Sequence, residues 1–398
     1  MIRSRSSIRF LVSVGVAGVF AVLIAFAHVA AQQQASKTEA TTGRSSGATQ
    51  ATMRGIFTAL TSAYSYSLDM EFFEDRHNRD TVVGSLEALV ANTSALEEHG
   101  GGLDPSFDYL RRFLAGDAEE ALKRYQERQY LGSQFMLNKL MENCATCHTR
   151  LPSDQAFGTG AQFLKEANVS SMAPVDRVNI EIAARQFDRA LSTYEEVFAL
   201  PTMTEQGLRL IGAFEGYLKI AVGVRNDTAR PSRALEKFLQ RNDVTPGLRE
   251  EIRGWIGDLA ALDLKAGTAS PLETARRLVG DATVAKKPPS SRPELVRMVA
   301  ANTLLHRHLQ TLSSYDAEAS EVYYLLAVTE SRVTRSYWIA ETDFLLEKAV
   351  RSAPKSDYAR KALSLLTDRV TGATPVGAYE GSAAPKIDIE ELRKLVEG

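Results

Sequence analysis

Apolar residues recur every three or four positions along almost the whole chain from Ala51 to Val370, and no stretch alternates apolar and polar residues as a strand does. A chain patterned this way has one fold class open to it. It must be all-α, with each helix burying one apolar stripe against its neighbours. With 398 residues, 44% of them hydrophobic and 24% charged, the chain is long enough for two ordinary domains with sizeable cores.

The first half carries four such stripes. Met53, Ile56, Phe57, Leu60, Tyr64 and Leu68 share one face of a helix from about Ala51 to Asp69. A charged connector, Glu71–Arg79, leads to a second helix, which Asp80 can cap and whose core face is Val82, Val83, Leu86, Leu89, Val90, Thr93 and Leu96. Gly100-Gly101-Gly102 ends it. Asp104-Pro105 puts a cap and a first-turn proline ahead of a short third helix with Phe107, Leu110, Phe113 and Leu114, which Gly116-Asp117 is expected to break or bend. The fourth helix continues from about Ala118, with Leu137, Leu140, Met141, Cys144 and His148 along one stripe, and Pro152 stops it.

That fourth helix holds the only two cysteines of the chain, Cys144 and Cys147, with His148 directly after the second. C-x-x-C-H is the attachment pattern of c-type haem. Two thiols one helical turn apart can each add across a vinyl group of one porphyrin, and the adjacent imidazole can then serve as the proximal iron ligand. A thioredoxin-like C-x-x-C needs a βαβ setting, which this pattern lacks. A structural zinc site needs about four Cys or His ligands, and no second cysteine pair exists. The sequence therefore predicts one covalently attached haem c, held by Cys144 and Cys147, with His148 as the iron's fifth ligand.

A haem motif at the C-terminal end of the fourth helix of an antiparallel bundle resembles the class II c-type cytochromes, the cytochrome c-prime group and its low-spin relatives, over about residues 51–152. In the low-spin members a methionine early in the first helix reaches the iron, and Met53 stands at that place here. The high-spin members leave the distal face open or cover it with an apolar side chain, so both arrangements are carried forward. Met203 would suit a class I cytochrome but falls in the second half of the chain. His77 and His99 sit in charged or glycine-rich connectors and are expected to be solvated, and Met141 is on the haem helix itself. The class II resemblance also implies a possible homodimer.

Residues 1–31 read as an export signal. Arg3, Arg5 and Arg9 precede an apolar run from Phe10 to Ala27, and Val29-Ala30-Ala31 fits a cleavage site. The run is also long enough to stay uncleaved as an anchor in the inner membrane. Either way the remaining chain is expected in the periplasm, where c-type haem is attached. Loss of those three arginines takes the formal net charge from -2 to -5, which argues against nucleic acid as a partner. Residues 32–50, rich in Ala, Thr, Ser, Gly and Gln, read as a flexible linker.

Residues 153–176 read as a linker loop, with Gly158, Gly160 and Pro174. From 177 to 370 helices follow one another: Ile180–Leu200, Leu208–Val222, Ala234–Leu239, Leu248–Leu264, one opened by the capping box Ser270-Pro271-Leu272-Glu273, Leu295–Leu312 opened by a cap between Ser291 and Glu294, Glu321–Ser331, Tyr337–Ser352 and Ser356–Val370. Residues 319–366 resemble a degenerate tetratricopeptide repeat, through Tyr323, Leu326 and Ala327 on a first helix and Leu346, Ala349 and Pro354 on a second. Such a module binds partner proteins on a concave face. Tyr323, Tyr324, Tyr337 and Trp338 suit that face or the core, with core favoured. Residues 371–398 read as a loop closed by a short helix, Ile389–Val396.

The expected protein is an exported monohaem cytochrome that moves one electron at a time, with a helical-repeat module that docks a redox partner. Two other readings stay open: a haem-based gas sensor with an open distal face, and a repeat-based adaptor in which the haem is structural. No Ser-His-Asp set, phosphate loop or paired-carboxylate motif marks an enzyme, although haem alone could support a peroxidase.

Overall fold

The structure is a computed structural model, and it describes residues 49–97, 105–150, 158–167, 169–263, 270–285, 291–312, 317–333, 341–371 and 387–398. The expected leader, 1–31, the linker as far as residue 48, His99, Tyr337 and Trp338 lie outside the described residues. The chain divides into two compact units, Met1–Arg54 and Gly55–Gly398. Of the first unit, residues 49–54 are described; they are helical, and Met53 among them is half-buried. The second unit is all-α, with no strand among the described residues. No described helix is long and apolar enough to cross a membrane.

The second unit opens with α1 (55–67), α2 (Met70–Glu74), α3 (Arg79–Glu97), α4 (Pro105–Gln126) and α5 (Tyr130–Arg150). Each long helix buries most of the stripe read from its spacing, although Leu68 at the end of the first is exposed and Val83 and Val90 are half-buried. Ile56, Phe57, Leu60 and Tyr64 are buried on α1, Val82, Leu86, Leu89, Thr93 and Leu96 on α3, and Leu137, Leu140 and Met141 on α5. Polar side chains fix the register between neighbours. The Ser62 and Ser85 hydroxyls meet at 2.9 Å between α1 and α3. Between α4 and α5, Asn143 Nδ2 donates to Leu110 O at 3.1 Å and Ser133 Oγ to Ala121 O at 2.8 Å. The numbers rise on one helix as they fall on the other, so α4 and α5 are antiparallel.

Two details depart from the expected pattern. Gly116-Asp117 does not break α4, which runs unbroken through it. Lys139 Nζ on α5 donates to Asp117 Oδ1 at 2.9 Å, and both side chains are buried. A residue that ordinarily favours a turn is thus held inside a helix by a charge on the next one. The chain turns instead at Arg128, whose φ of 63° is left-handed. The connector after α1 also holds a helix of its own, α2, because the Asp69 side chain accepts from Glu71 N and Phe73 is buried beneath it. Tyr125 Oη donates to Phe73 O at 2.9 Å and pins α2 to α4.

The stretch read as a linker, 153–176, is also partly helical. It contains α6 (Gly158–Glu166), a 3-10 turn (Val169–Ser171) and the start of α7 (Pro174–Ala183). On α6 the ring of Phe163 stacks on Phe57 of α1, and Gly160 lies against Ala184 O with no room for a Cβ.

Helices α8 (Phe187–Ala199), α9 (Glu205–Leu210), α10 (Ala213–Leu218), a π-turn (Lys219–Val224), α11 (Ala229–Phe238), α12 (Pro246–Ala261), α13 (Pro271–Val279), α14 (Leu295–Leu309), α15 (Ala317–Val333), α16 (Glu341–Ser352), α17 (Asp357–Thr371) and α18 (Ile389–Glu397) follow. The expected helix Leu208–Val222 is interrupted at Gly212, whose φ of 64° opens α10. Ser270 stands at the N-cap of α13 with Pro271 after it but makes no side-chain cap bond, and α14 starts after Glu294, again without one. Phe198 and Phe214 stack with ring centres 5.2 Å apart, Phe214 meets Trp255 at 5.4 Å, and Trp255 Nε1 donates to Arg292 O at 2.7 Å. From α13 to α17 each helix packs on the next in the chain, and α18 lies across α16 and α17 with Leu392 buried. Tyr323 is in the core, as favoured from its pattern, and Tyr324 packs on Tyr358.

Helix α5 belongs to both halves of this unit. It packs on α4 on one side and on α7 and the π-turn on the other. Ala145 and Cys147 lie against the same continuous core as the C-terminal helices. The boundary expected at 152–153 lies outside the described residues.

Candidate functional site

The last two turns of α5 carry Cys144, Cys147 and His148, all half-buried. At about 100° per residue, positions 144, 147 and 148 fall on one face of the helix. Both cysteines are free thiols. Burial pushes the Cys144 thiol up to about 12, and a thiolate at Cys147 would push it further. Burial pushes Cys147 up to about 11 against the pull of the positive charges of Arg150, Arg185 and Arg111. Both are therefore protonated at neutral pH and poor partners for thiol exchange.

His148 moves the other way. Burial pushes it down to about 4, helped by the Arg185 charge and opposed by the carbonyls of Ala183 and Ile182 at the end of α7. The imidazole is neutral at neutral pH, the form that can ligate a metal. Its Nδ1 is buried and has no hydrogen-bond partner among the described residues. Burying an unsatisfied ring nitrogen has a cost, which binding or a bonded group would offset.

Three arginines from three elements surround this face. Arg111 comes from α4, next to the Leu110 carbonyl that Asn143 holds. Its Nη2 pairs with Asp108, while Nε and Nη1 are buried and have no hydrogen-bond partner among the described residues. Arg185 follows α7 at a φ of 55° and is buried. Arg150, at the end of α5, is buried against Glu341, with Nη2 2.7 Å from Oε2, and lies 3.5 Å from Glu330. Positive charge at a helix C-terminus also complements the helix dipole. Of these only Arg150, two residues after His148, lay within reach of the sequence motif; Arg111 and Arg185 arrive through the packing of α4 and α7.

Two thiols one helical turn apart with an imidazole beside them are the donor types that a c-type haem uses. No group of three or more His, Cys, Asp or Glu side chains among the described residues converges to hold a metal ion. A porphyrin requires no such convergence, because thiols bind at its edge and an imidazole at its centre. Other methionines and histidines of the chain are placed as follows. Met53 is in the first unit, His77 is exposed and pairs with Asp75 at 2.9 Å, and Met141 is in the core. Met203 is half-buried against the core, and its carbonyl accepts from Arg241. His306, on α14, is buried, and His308, two residues on, meets Glu318 at 2.6 Å. Comparison with known proteins yields no family model, no curated protein and no solved structure that matches the chain.

Proposed function

We propose that the chain is an exported monohaem c-type cytochrome that carries single electrons in the periplasm. The observation that supports this reading is C-x-x-C-H on one face of α5, with two free thiols and an imidazole whose Nδ1 has no hydrogen-bond partner among the described residues. Cys144 and Cys147 each supply a thiol for a thioether bond, and His148 supplies the nitrogen lone pair of the fifth ligand. The haem, when bound, supplies a one-electron ferric–ferrous couple. The class II resemblance supports Met53 as the sixth ligand and a four-helix cytochrome portion at 51–152. The tetratricopeptide resemblance supports a docking role for the C-terminal helices, which would raise the local concentration of a redox partner.

The Nε and Nη1 nitrogens of Arg111 suit the carboxylates of a haem. Arg111→Met should therefore act with opposite signs. It should raise the melting midpoint of the haem-free protein by a few degrees, the size of about 1 kcal/mol, and lower that of the haem-loaded protein. Calorimetry on both forms checks it, and a shift of the same sign in both would refute the assignment.

The distal assignment is tested separately. Met53→Ala should turn a low-spin ferric spectrum high-spin and allow carbon monoxide to bind the reduced protein. An unchanged spectrum would rule Met53 out and leave the cysteine and histidine assignments standing.

A further inference from the structure

Thr146 and Thr149 fall on the face of α5 about half a turn from 144, 147 and 148, and Arg150 lies between the two faces, about 60° from Cys147. On that side a cavity of about 260 Å³ lies between α5, the π-turn, α14 and α15. Its wall is fixed by contacts between elements. Arg307 Nη2 donates to Gly223 O at 3.1 Å and to Asn226 Oδ1 at 3.3 Å, and Asn226 holds a left-handed φ of 51°. The wall includes the π-turn itself, a distortion that often marks functional positions.

Charge and size restrict the occupant. Arg150, Lys219 and Arg307 line the cavity with one carboxylate, Glu330, and Arg150 is also paired with Glu341 outside the lining, so three cations stand against two carboxylates. Glu330 is engaged by Arg150 at 3.5 Å and by Asn302 Nδ2 at 3.2 Å. The cavity is therefore net positive, and its volume is below that of a drug-sized site. We propose that it binds a small molecule bearing carboxylate or phosphate groups, with Lys219 and Arg307 as the charge partners and the Thr146 hydroxyl as a neutral donor. Because Thr146 lies between Cys144 and Cys147, such a ligand would touch the helix that carries the motif. None of its partners is Cys144, Cys147 or His148, so the site stands whether or not haem is attached.

Isothermal titration of the full exported chain with inorganic phosphate and, separately, with a four-carbon dicarboxylate tests this. The expected result is one site per chain for at least one probe. Affinity should fall about tenfold or more in Lys219→Gln and in Arg307→Gln, and stay unchanged in Lys237→Gln on α11. Phosphate alone or dicarboxylate alone would each support the site and identify which oxyanion it takes. No binding of either probe at millimolar concentration, or binding that Lys219→Gln leaves intact, would overturn it. Lys219→Gln decides the matter if Arg307→Gln fails to fold.

Discussion

Lys139→Met should destabilise the folded chain by about 3–5 kcal/mol, because it leaves the Asp117 carboxylate buried without its lysine. The two groups meet at 2.9 Å between α4 and α5 with both side chains buried. Burial draws the Lys139 ammonium below its usual range, and Asp117 draws it back. The pair is thus costly to desolvate and far more costly to halve. The double variant Lys139→Met, Asp117→Leu should recover most of the loss, since apolar groups of similar size replace both charges. Urea denaturation of the two variants measures this, and an equal loss in both would show that packing rather than charge is at stake.

Arg150→Met should be at least as damaging, on the order of 3–5 kcal/mol, because one guanidinium serves two buried carboxylates. Glu341 takes it with both oxygens, and Glu330 lies 3.5 Å away. These contacts join the end of α5 to α15 and α16, so their loss should loosen the motif-bearing turn first. Hydrogen exchange should rise at residues 144–150 and along α15 while α3 keeps its protection. Uniform loss of protection would contradict a local role for Arg150.

These two pairs also mark the limit of what local sequence can tell. The helical stripes were legible because each is a short-range pattern, and Val82, Leu86, Leu89, Thr93 and Leu96 are buried as their spacing requires. Gly116-Asp117 misled for the opposite reason. Its turn preference is local, whereas the lysine that overrides it is 22 positions away. Gly212 divides a stretch whose apolar spacing reads as one helix, because a left-handed residue interrupts the backbone without disturbing the pattern. Cys144, Cys147 and His148 were legible as a motif. Arg111 and Arg185 were not, because nothing in their own segments marks them; they reach the motif only when α4 and α7 pack on α5. The cavity behind Thr146 is built from four separate elements and has no sequence signature.

The absorption spectrum of the exported protein, made alongside a haem-attachment system and recorded oxidised, reduced, and reduced under carbon monoxide, is the most direct test of a covalent haem at Cys144 and Cys147. The expected result is covalent haem in a one-to-one ratio that survives acid extraction, with a low-spin spectrum indifferent to carbon monoxide, and loss of that haem in Cys147→Ser. A carbon monoxide shift would contradict the electron-carrier reading in favour of gas binding, and a protein that folds with no covalent haem would contradict the central claim.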